Sequence, residues 1–196
     1  MRTVYLYGAG GHAKVIIDIL KSNRITVSEI FDDNPAIHTF MGIPVSHTNI
    51  RSPLIISIGN NAIRKKIVEK FNNVIYYPAL LANSVSISDL ASIKEGTVVM
   101  QGAIIQSSAQ IGKHVIINTR ASIDHDCLIE DYVHIAPGAI LCGNVEVGEG
   151  SFIGAGTTIM QGIKIGKWSI IGAGSVVVRD IPDNVTAFGN PCRIIN

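Results

Sequence analysis

The chain has 196 residues, enough for one large domain or two small ones around a buried core. Sixteen basic residues nearly balance fifteen acidic ones, which argues against a nucleic-acid or membrane-surface partner. Although 47% of residues are hydrophobic, no apolar run approaches the roughly 20 residues of a membrane span. The segment Met1 to Gly8 reaches glycine too early for a signal peptide. Cys127, Cys142 and Cys192 have neither metal-ligand spacing nor an even-numbered framework, so a reduced, cytoplasmic protein without a bound metal is expected.

Thr3 to Tyr7 reads as a strand, Gly8-Ala9-Gly10-Gly11-His12 as a turn, and Val15, Ile16, Ile19 and Leu20 as the stripe of a helix. Val27 to Phe31 and Leu54 to Ile58 read as further strands. Ile63, Ile67 and Phe71 line a second helix after Gly59-Asn60-Asn61, where an asparagine is a natural N-cap. Strands alternating with helices define a small parallel α/β domain over residues 1–78. Gly8-x-Gly10-x-x-Ala13, followed by Asp32-Asp33, nearly satisfies a dinucleotide fingerprint. Glycines admit the backbone to phosphate, the helix N-terminus supplies N–H donors, and an acid closing the second strand accepts from a ribose hydroxyl. The domain is about half a full dinucleotide fold, which fits a nucleotide-sugar better than NAD.

From Leu81 onward an aliphatic residue returns at every sixth position, through Ile87, Ile93, Val99, Ile105, Ile111, Ile117, Ile123, Ile129, Ile135, Leu141, Val147, Ile153, Ile159, Ile165, Ile171 and Val177. Four places after the anchor stands a mostly small residue, among them Ala103, Ala121, Cys127, Ala139, Ser151 and Thr157. Neither helical nor alternating periodicity gives this spacing, and an ordinary β-sandwich would not keep it so long. A triangular solenoid does: each hexad makes a short strand and a corner, three make a coil, and coils stack at the ~4.8 Å spacing of paired strands. This β-helix occupies residues 79–196.

Two histidines of the repeat stand off its interior positions. His125 lies two places after an anchor within Asp124-His125-Asp126, and His134 directly precedes one. Residues eighteen apart stack, so Gly143 lies over His125 and Ala173 over Ala155. A backbone N–H at Gly143 therefore comes about one strand spacing from the imidazole. A base near neutral pKa, an orienting carboxylate and an N–H donor form the constellation that acyl transfer requires. A zinc site from His114, His125 and His134 fails on spacing, because none is eighteen residues from another. A non-catalytic scaffold would lack an off-core histidine with an adjacent acid.

The hexads resemble those of hexapeptide-repeat acyltransferases, whose coils wind left-handed. Gly8 to His12, Asp32-Asp33, Ile58 to Asn61, the His125 segment, His134 and the tail Gly189-Asn190-Pro191-Cys192-Arg193 together resemble the bacterial sialic-acid O-acetyltransferase and UDP-bacillosamine-pathway N-acetyltransferase family. That resemblance implies acetyl-CoA as co-substrate, and His125 as general base supported by Asp126. His134 and Gly143 would contact the thioester end, with Ala155 and Ala173 along the pantetheine. Gly10, Gly11, His12, Asp32, Asp33 and Gly59 would hold a nucleotide-sugar. It also implies a homotrimer with sites between adjacent solenoids. Asp126 stands where the family's N-acetyltransferases carry Glu, and Asp124 is a rival partner for His125. The expected activity is N-acetylation of the 4-amino group of a nucleotide-linked sugar; the alternative is O-acetylation of sialic acid or a related sugar.

Overall fold

In a computed structural model that describes residues 3–195, the chain forms an α/β unit followed by a β-solenoid. Met1 and Arg2, which open the segment read above for a leader, and Asn196 lie outside the described residues. The α/β unit contains β1 (Thr3–Tyr7), α1 (Gly11–Ser22), β2 (Thr26–Phe31), β3 (Thr39–Phe40), β4 (Ile43–Ser46), β5 (Leu54–Ile56) and α2 (Asn61–Lys70). Its sheet has the order β3-β4-β2-β1-β5, parallel except for the β3–β4 pair. Helix α1 buries Ala13, Ile16, Ile17, Ile19 and Leu20 against this sheet, the expected stripe with Val15 at its edge.

Helix α2 departs from its sequence reading. Asn60 caps it by accepting from the Ile63 N–H at 3.0 Å, but Ile63 is 49% exposed, and the buried residues are Asn61, Arg64 and Ile67. The hydrophobic stripe places Ile67 and Phe71 but misplaces Ile63, because the inner face also packs on backbone carbonyls of the solenoid, which call for donors rather than methyl groups.

The solenoid is built from two-residue strands whose second member is the anchor. Up to Val177 pairing is parallel with an eighteen-residue register, as in Ile105↔Ile123, Ile117↔Ile135 and Ile111↔Ile129; the tail shortens it to sixteen at Ile171↔Ala187 and closes with an antiparallel pair. Three sheets make the faces of a prism. Face one runs from Leu80–Leu81 through His134–Ile135 to the tail strands; face two runs from Ser86–Ile87 to Val176–Val177; face three runs from Ser92–Ile93 to Lys164–Ile165. The anchors from Val99 to Val177 are at most 2% exposed and form one continuous core. At the open end of the stack, Leu81 is 36% exposed while Leu80 packs against the α/β unit.

The small residues are buried at the corners, where they leave no room for a larger side chain. Where the small residue is polar, its hydroxyl is used: Thr97, Thr157 and Ser169 donate to the carbonyls of Gly112, Gly172 and Pro182. The corners from Gly96 to Gly174 also hold a residue at positive φ, three places after the anchor. Glycine fills many of these positions, but His114, Arg120, Asp126, Tyr132, Asn144 and Trp168 occupy others. No helix of the described residues is long and apolar enough to cross a membrane.

Ile135→Ala removes a fully buried side chain from the middle of the stack and should lower stability by about 2–5 kcal/mol. Urea unfolding monitored by circular dichroism measures it.

Candidate active site

The turn after β1 is held from both sides. Gly8 has φ +111, and a Cβ there would stand 2.8 Å from Ile58 Cγ1, so only glycine fits. The buried Ser57 hydroxyl bonds to the carbonyls of Tyr7 and Gly8, at 2.9 and 2.6 Å. Asp32 accepts from the Ala9 N–H at 2.7 Å and from its own Asn34 N–H at 2.8 Å. One of the paired acids is thus committed to building the turn. Asp33 is more open; its Oδ1 accepts from Tyr7 Oη at 2.7 Å and lies 3.7 Å from Lys70 Nζ. Burial and this carboxylate push the Tyr7 pKa up.

Gly10, Gly11, His12, Asp32, Asp33 and Gly59 all line one cleft of about 320 Å³. A Cβ added at Gly10, Gly11 or Gly59 would meet no heavy atom within 4 Å, so these glycines open the cleft instead of relieving a clash. Gly10 is the N-cap of α1, which has no side-chain cap and no acid in its first turn. The orphan N–H groups and the positive dipole end of α1 therefore face the cleft.

His134 projects from face one toward this cleft. Its Nδ1 lies 3.4 Å from the Gly59 carbonyl and its Nε2 lies 3.1 Å from Asn118 Nδ2. A neutral ring carrying the proton on Nδ1 satisfies both contacts. Burial first, and the Arg64 charge second, pull the His134 pKa down to about 4. The same two causes act on His12 and His114, each also lowered to about 4. His114 does not line the cleft. It is 2% exposed, with its ring edge-on to Tyr76 at 4.6 Å and stacked on Tyr132 at 5.7 Å.

His125 occupies a different place and a different environment. It stands on the corner between faces two and three, with its side chain 60% exposed. Asp126, at φ 60, turns its carboxylate back so that Oδ2 lies 2.8 Å from His125 Nδ1. Asp124 instead accepts from the His125 backbone N–H at 2.8 Å. The two candidate acids thus divide the work: Asp126 meets the ring and Asp124 the main chain. Both raise the His125 pKa, the Asp126 hydrogen bond most. With Nδ1–H donated to Asp126, the Nε2 lone pair is left facing outward.

Gly143 lies against this ring. A Cβ at Gly143 would come within 2.6 Å of His125 Nε2 and Cε1, so any side chain there would displace the imidazole. Among the described residues, no backbone or side-chain acceptor takes the Gly143 N–H. Ala155 and Ala173 stack eighteen apart and are exposed, on the corner between faces one and two. A single chain therefore brings His125, Asp126 and Gly143 together at one edge. His134 touches the cleft wall only at the Gly59 carbonyl, and the two alanines lie on a third edge.

Sequence reasoning missed Ser57, Asn61 and Arg64. Arg64 is 1% exposed, and its guanidinium bonds only to carbonyl oxygens. Burial lowers its pKa to about 9, so it remains charged at neutral pH. No spacing rule flags a buried arginine of this kind, since all its partners except Asn61 Oδ1 are main-chain atoms.

Residues 3–71 match the PglD N-terminal domain, and residues 126–161 and 144–179 match the bacterial transferase hexapeptide (six repeats). A histidine-to-asparagine variant of perosamine N-acetyltransferase from Caulobacter crescentus, solved with CoA and GDP-perosamine, is 36% identical, with a TM-score of 0.94 over 100% of this chain and 98% of its own. The acetyltransferase domain of PglB from Neisseria gonorrhoeae, in complex with acetyl coenzyme A, is 37% identical, with a TM-score of 0.91 over 99% of each chain. A GDP-perosamine N-acetyltransferase of Escherichia coli O157:H7 is 28% identical over 90% of this chain and 79% of its own. The chain spans only 22% of an uncharacterized mimivirus protein, L142, to which it is 35% identical over 55% of its own length. The chain belongs to the hexapeptide-repeat sugar N-acetyltransferases that carry a PglD N-terminal domain.

The three suppressed histidines make stability depend on pH. Each has a folded pKa near 4 against an ordinary 6.5, so the unfolded chain binds more protons between these values. Their contribution is whole above about pH 6.5 and is lost as pH falls through 4. The urea midpoint should hold steady from pH 8 to 7, then fall toward pH 4. Proton uptake on unfolding at pH 5 should approach three, less a fraction from His125, whose raised pKa works the other way.

Proposed function

We propose that this chain transfers the acetyl group of acetyl-CoA to the 4-amino group of a sugar linked to a nucleoside diphosphate. The observation that carries the reading is the pairing, in one chain, of a phosphate-type cleft with an exposed histidine–carboxylate dyad. The perosamine enzyme and the PglB domain, solved with CoA, GDP-perosamine or acetyl-CoA, supply the substrate classes.

In this reading, residues 1–78 bind the nucleotide-sugar. The diphosphate lies at the uncapped end of α1 beside Gly10, Gly11 and His12, and Asp33, the more exposed of the two acids, accepts from a ribose hydroxyl with the oxygen that Tyr7 does not use. Residues 79–196 carry out the transfer. The sugar amine, having released its ammonium proton to solvent, attacks the thioester carbonyl carbon with its lone pair as His125 Nε2 takes a second proton from the nitrogen. Asp126 holds Nδ1–H and stabilises the imidazolium that results. The Gly143 N–H donates to the oxyanion of the tetrahedral intermediate. When the C–S bond breaks, the imidazolium returns the proton to the departing thiolate, leaving an amide and free CoA.

His125 and the cleft lie on different edges of one chain, so we place the complete site between chains of a homotrimer. Face two supports such packing, with Ile104 and Ile140 turned outward at 38% and 46% exposure. Ala155 and Ala173 then line the pantetheine path across from Gly143, while His134 closes the acceptor side as a neutral ring. Acetyl-CoA as donor supports a cytoplasmic site for the reaction.

Incubation with acetyl-CoA and a panel of UDP- and GDP-linked 4-amino sugars, with free sialic acid in competition, should give a base-stable amide on the amino sugar by mass spectrometry. A base-labile ester on sialic acid would contradict the reading. His125→Ala should lower kcat by about 10²–10⁴, with acetyl-CoA binding little changed. Asp126→Asn should move the acidic limb of the pH–rate profile to lower pH. Loss of the carboxylate lowers the base's pKa, so the base stays unprotonated further down the scale.

A further inference from the structure

Arg64 lies where the α/β unit meets the solenoid, and its bonding pattern is unusual for a buried cation. Among the described residues, no carboxylate meets it. Its Nε donates to His114 O at 2.8 Å, its Nη1 to Ile58 O and Gly59 O at 3.1 and 3.2 Å, and its Nη2 to Asn61 Oδ1 and Tyr132 O at 2.8 and 2.6 Å. Asn61 continues the series by donating to Gly150 O and Ser151 O at 3.0 and 3.1 Å.

The solenoid partners are ordered. His114, Tyr132 and Gly150 are equivalent positions in three successive coils, eighteen residues apart, each at the positive-φ place of its corner, with φ 52, 61 and 69. Their carbonyls take no part in the backbone bonds between coils. The corner thus presents a column of spare acceptors, one per coil at the ~4.8 Å coil spacing. Arg64 takes two rungs and Asn61 the third. On the other side, Arg64 holds Ile58 and Gly59, two residues of the cleft wall.

Cohesion alone does not call for an arginine here. Burying a guanidinium without a counter-charge is costly, and apolar residues of similar volume often hold such a junction as well or better. What the fork supplies, and a methionine cannot, is a fixed position along a repeating column. We propose that Arg64, with Asn61, is a positioning residue that sets the register of the nucleotide-sugar cleft along the solenoid axis, and so the place where the acceptor amine is presented. This rests on the function proposed above. A shift of one rung moves the cleft by about 4.8 Å, and a misplacement near 1 Å already costs an enzyme about 10²-fold in rate.

The test compares wild type with Arg64→Met and Arg64→Lys. Arg64→Met should still bind UDP or GDP, and acetyl-CoA, with dissociation constants within about threefold, because neither ligand's contacts include the arginine. Its kcat on the nucleotide-amino sugar should fall about 10²-fold, and amide hydrogen exchange at Gly59–Asn61 should quicken. Arg64→Lys, which keeps the charge and loses the fork, should remain at least tenfold impaired. A kcat within twofold of wild type in folded Arg64→Met overturns the proposal. If that variant does not fold, near-wild-type kcat in Arg64→Lys does the same. A wild type that binds both ligands yet acetylates no nucleotide-linked amine sinks the functional reading instead. Hydrogen exchange then decides the register claim, and unchanged protection at Gly59–Asn61 in the variants overturns it.

Discussion

An inward aliphatic residue at every sixth position leaves the backbone a single economical way to pair. Each strand must lie on the strand eighteen residues later, with anchor over anchor, or a methyl column turns into solvent. Everything chemical in the solenoid inherits that register. It lays Gly143 against His125, stacks Ala173 on Ala155, and lines up the carbonyls of His114, Tyr132 and Gly150 as a column. Function is thus written on the corners, where side chains are free of the core yet fixed by it.

Electrostatic environment then separates histidines that composition alone would treat alike. His12, His114 and His134 are buried around one unpaired guanidinium, and burial together with that charge keeps them neutral. His125 is exposed beside two carboxylates and is pushed the other way. Arg64 thereby does two things at once: it ties the cleft wall to the coils and biases the surrounding rings toward their uncharged form. A neutral His134 can donate and accept within its contacts to Gly59 and Asn118, while the raised His125 is suited to accepting a proton.

The period of six was legible because it involves residues in sequence order and repeats too often to be chance. From it came the faces, the eighteen-residue stacking and the closeness of Gly143 to His125. The turn at Gly8 to His12 and its meeting with Asp32, Asp33 and Gly59 were also legible, since the α/β pattern brings strand ends together. The division of labour between Asp124 and Asp126 was not, because it depends on the positive φ at Asp126. The short β3–β4 pair carries too few residues for an alternating signal. Helix α2 was legible only in part, for a physical reason: Ile67 is buried as the stripe predicts, but the inner face also bonds to main-chain carbonyls, so Arg64 is buried and the apolar Ile63 faces out.

The central claim of the account is that cleft and base belong to one site contributed by different chains. Gly10→Val blocks the cleft without a clash inside the chain, since space around Gly10 is open, and His125→Ala removes the base. Each variant alone should be inactive. Co-refolding or subunit exchange of the two should form mixed trimers in which some sites hold an intact cleft from one chain and an intact His125 from its neighbour. Recovery of N-acetyltransferase activity in the mixture is the predicted result. Mixed trimers that form, as shown by differential tagging, but remain as inactive as either parent would contradict it.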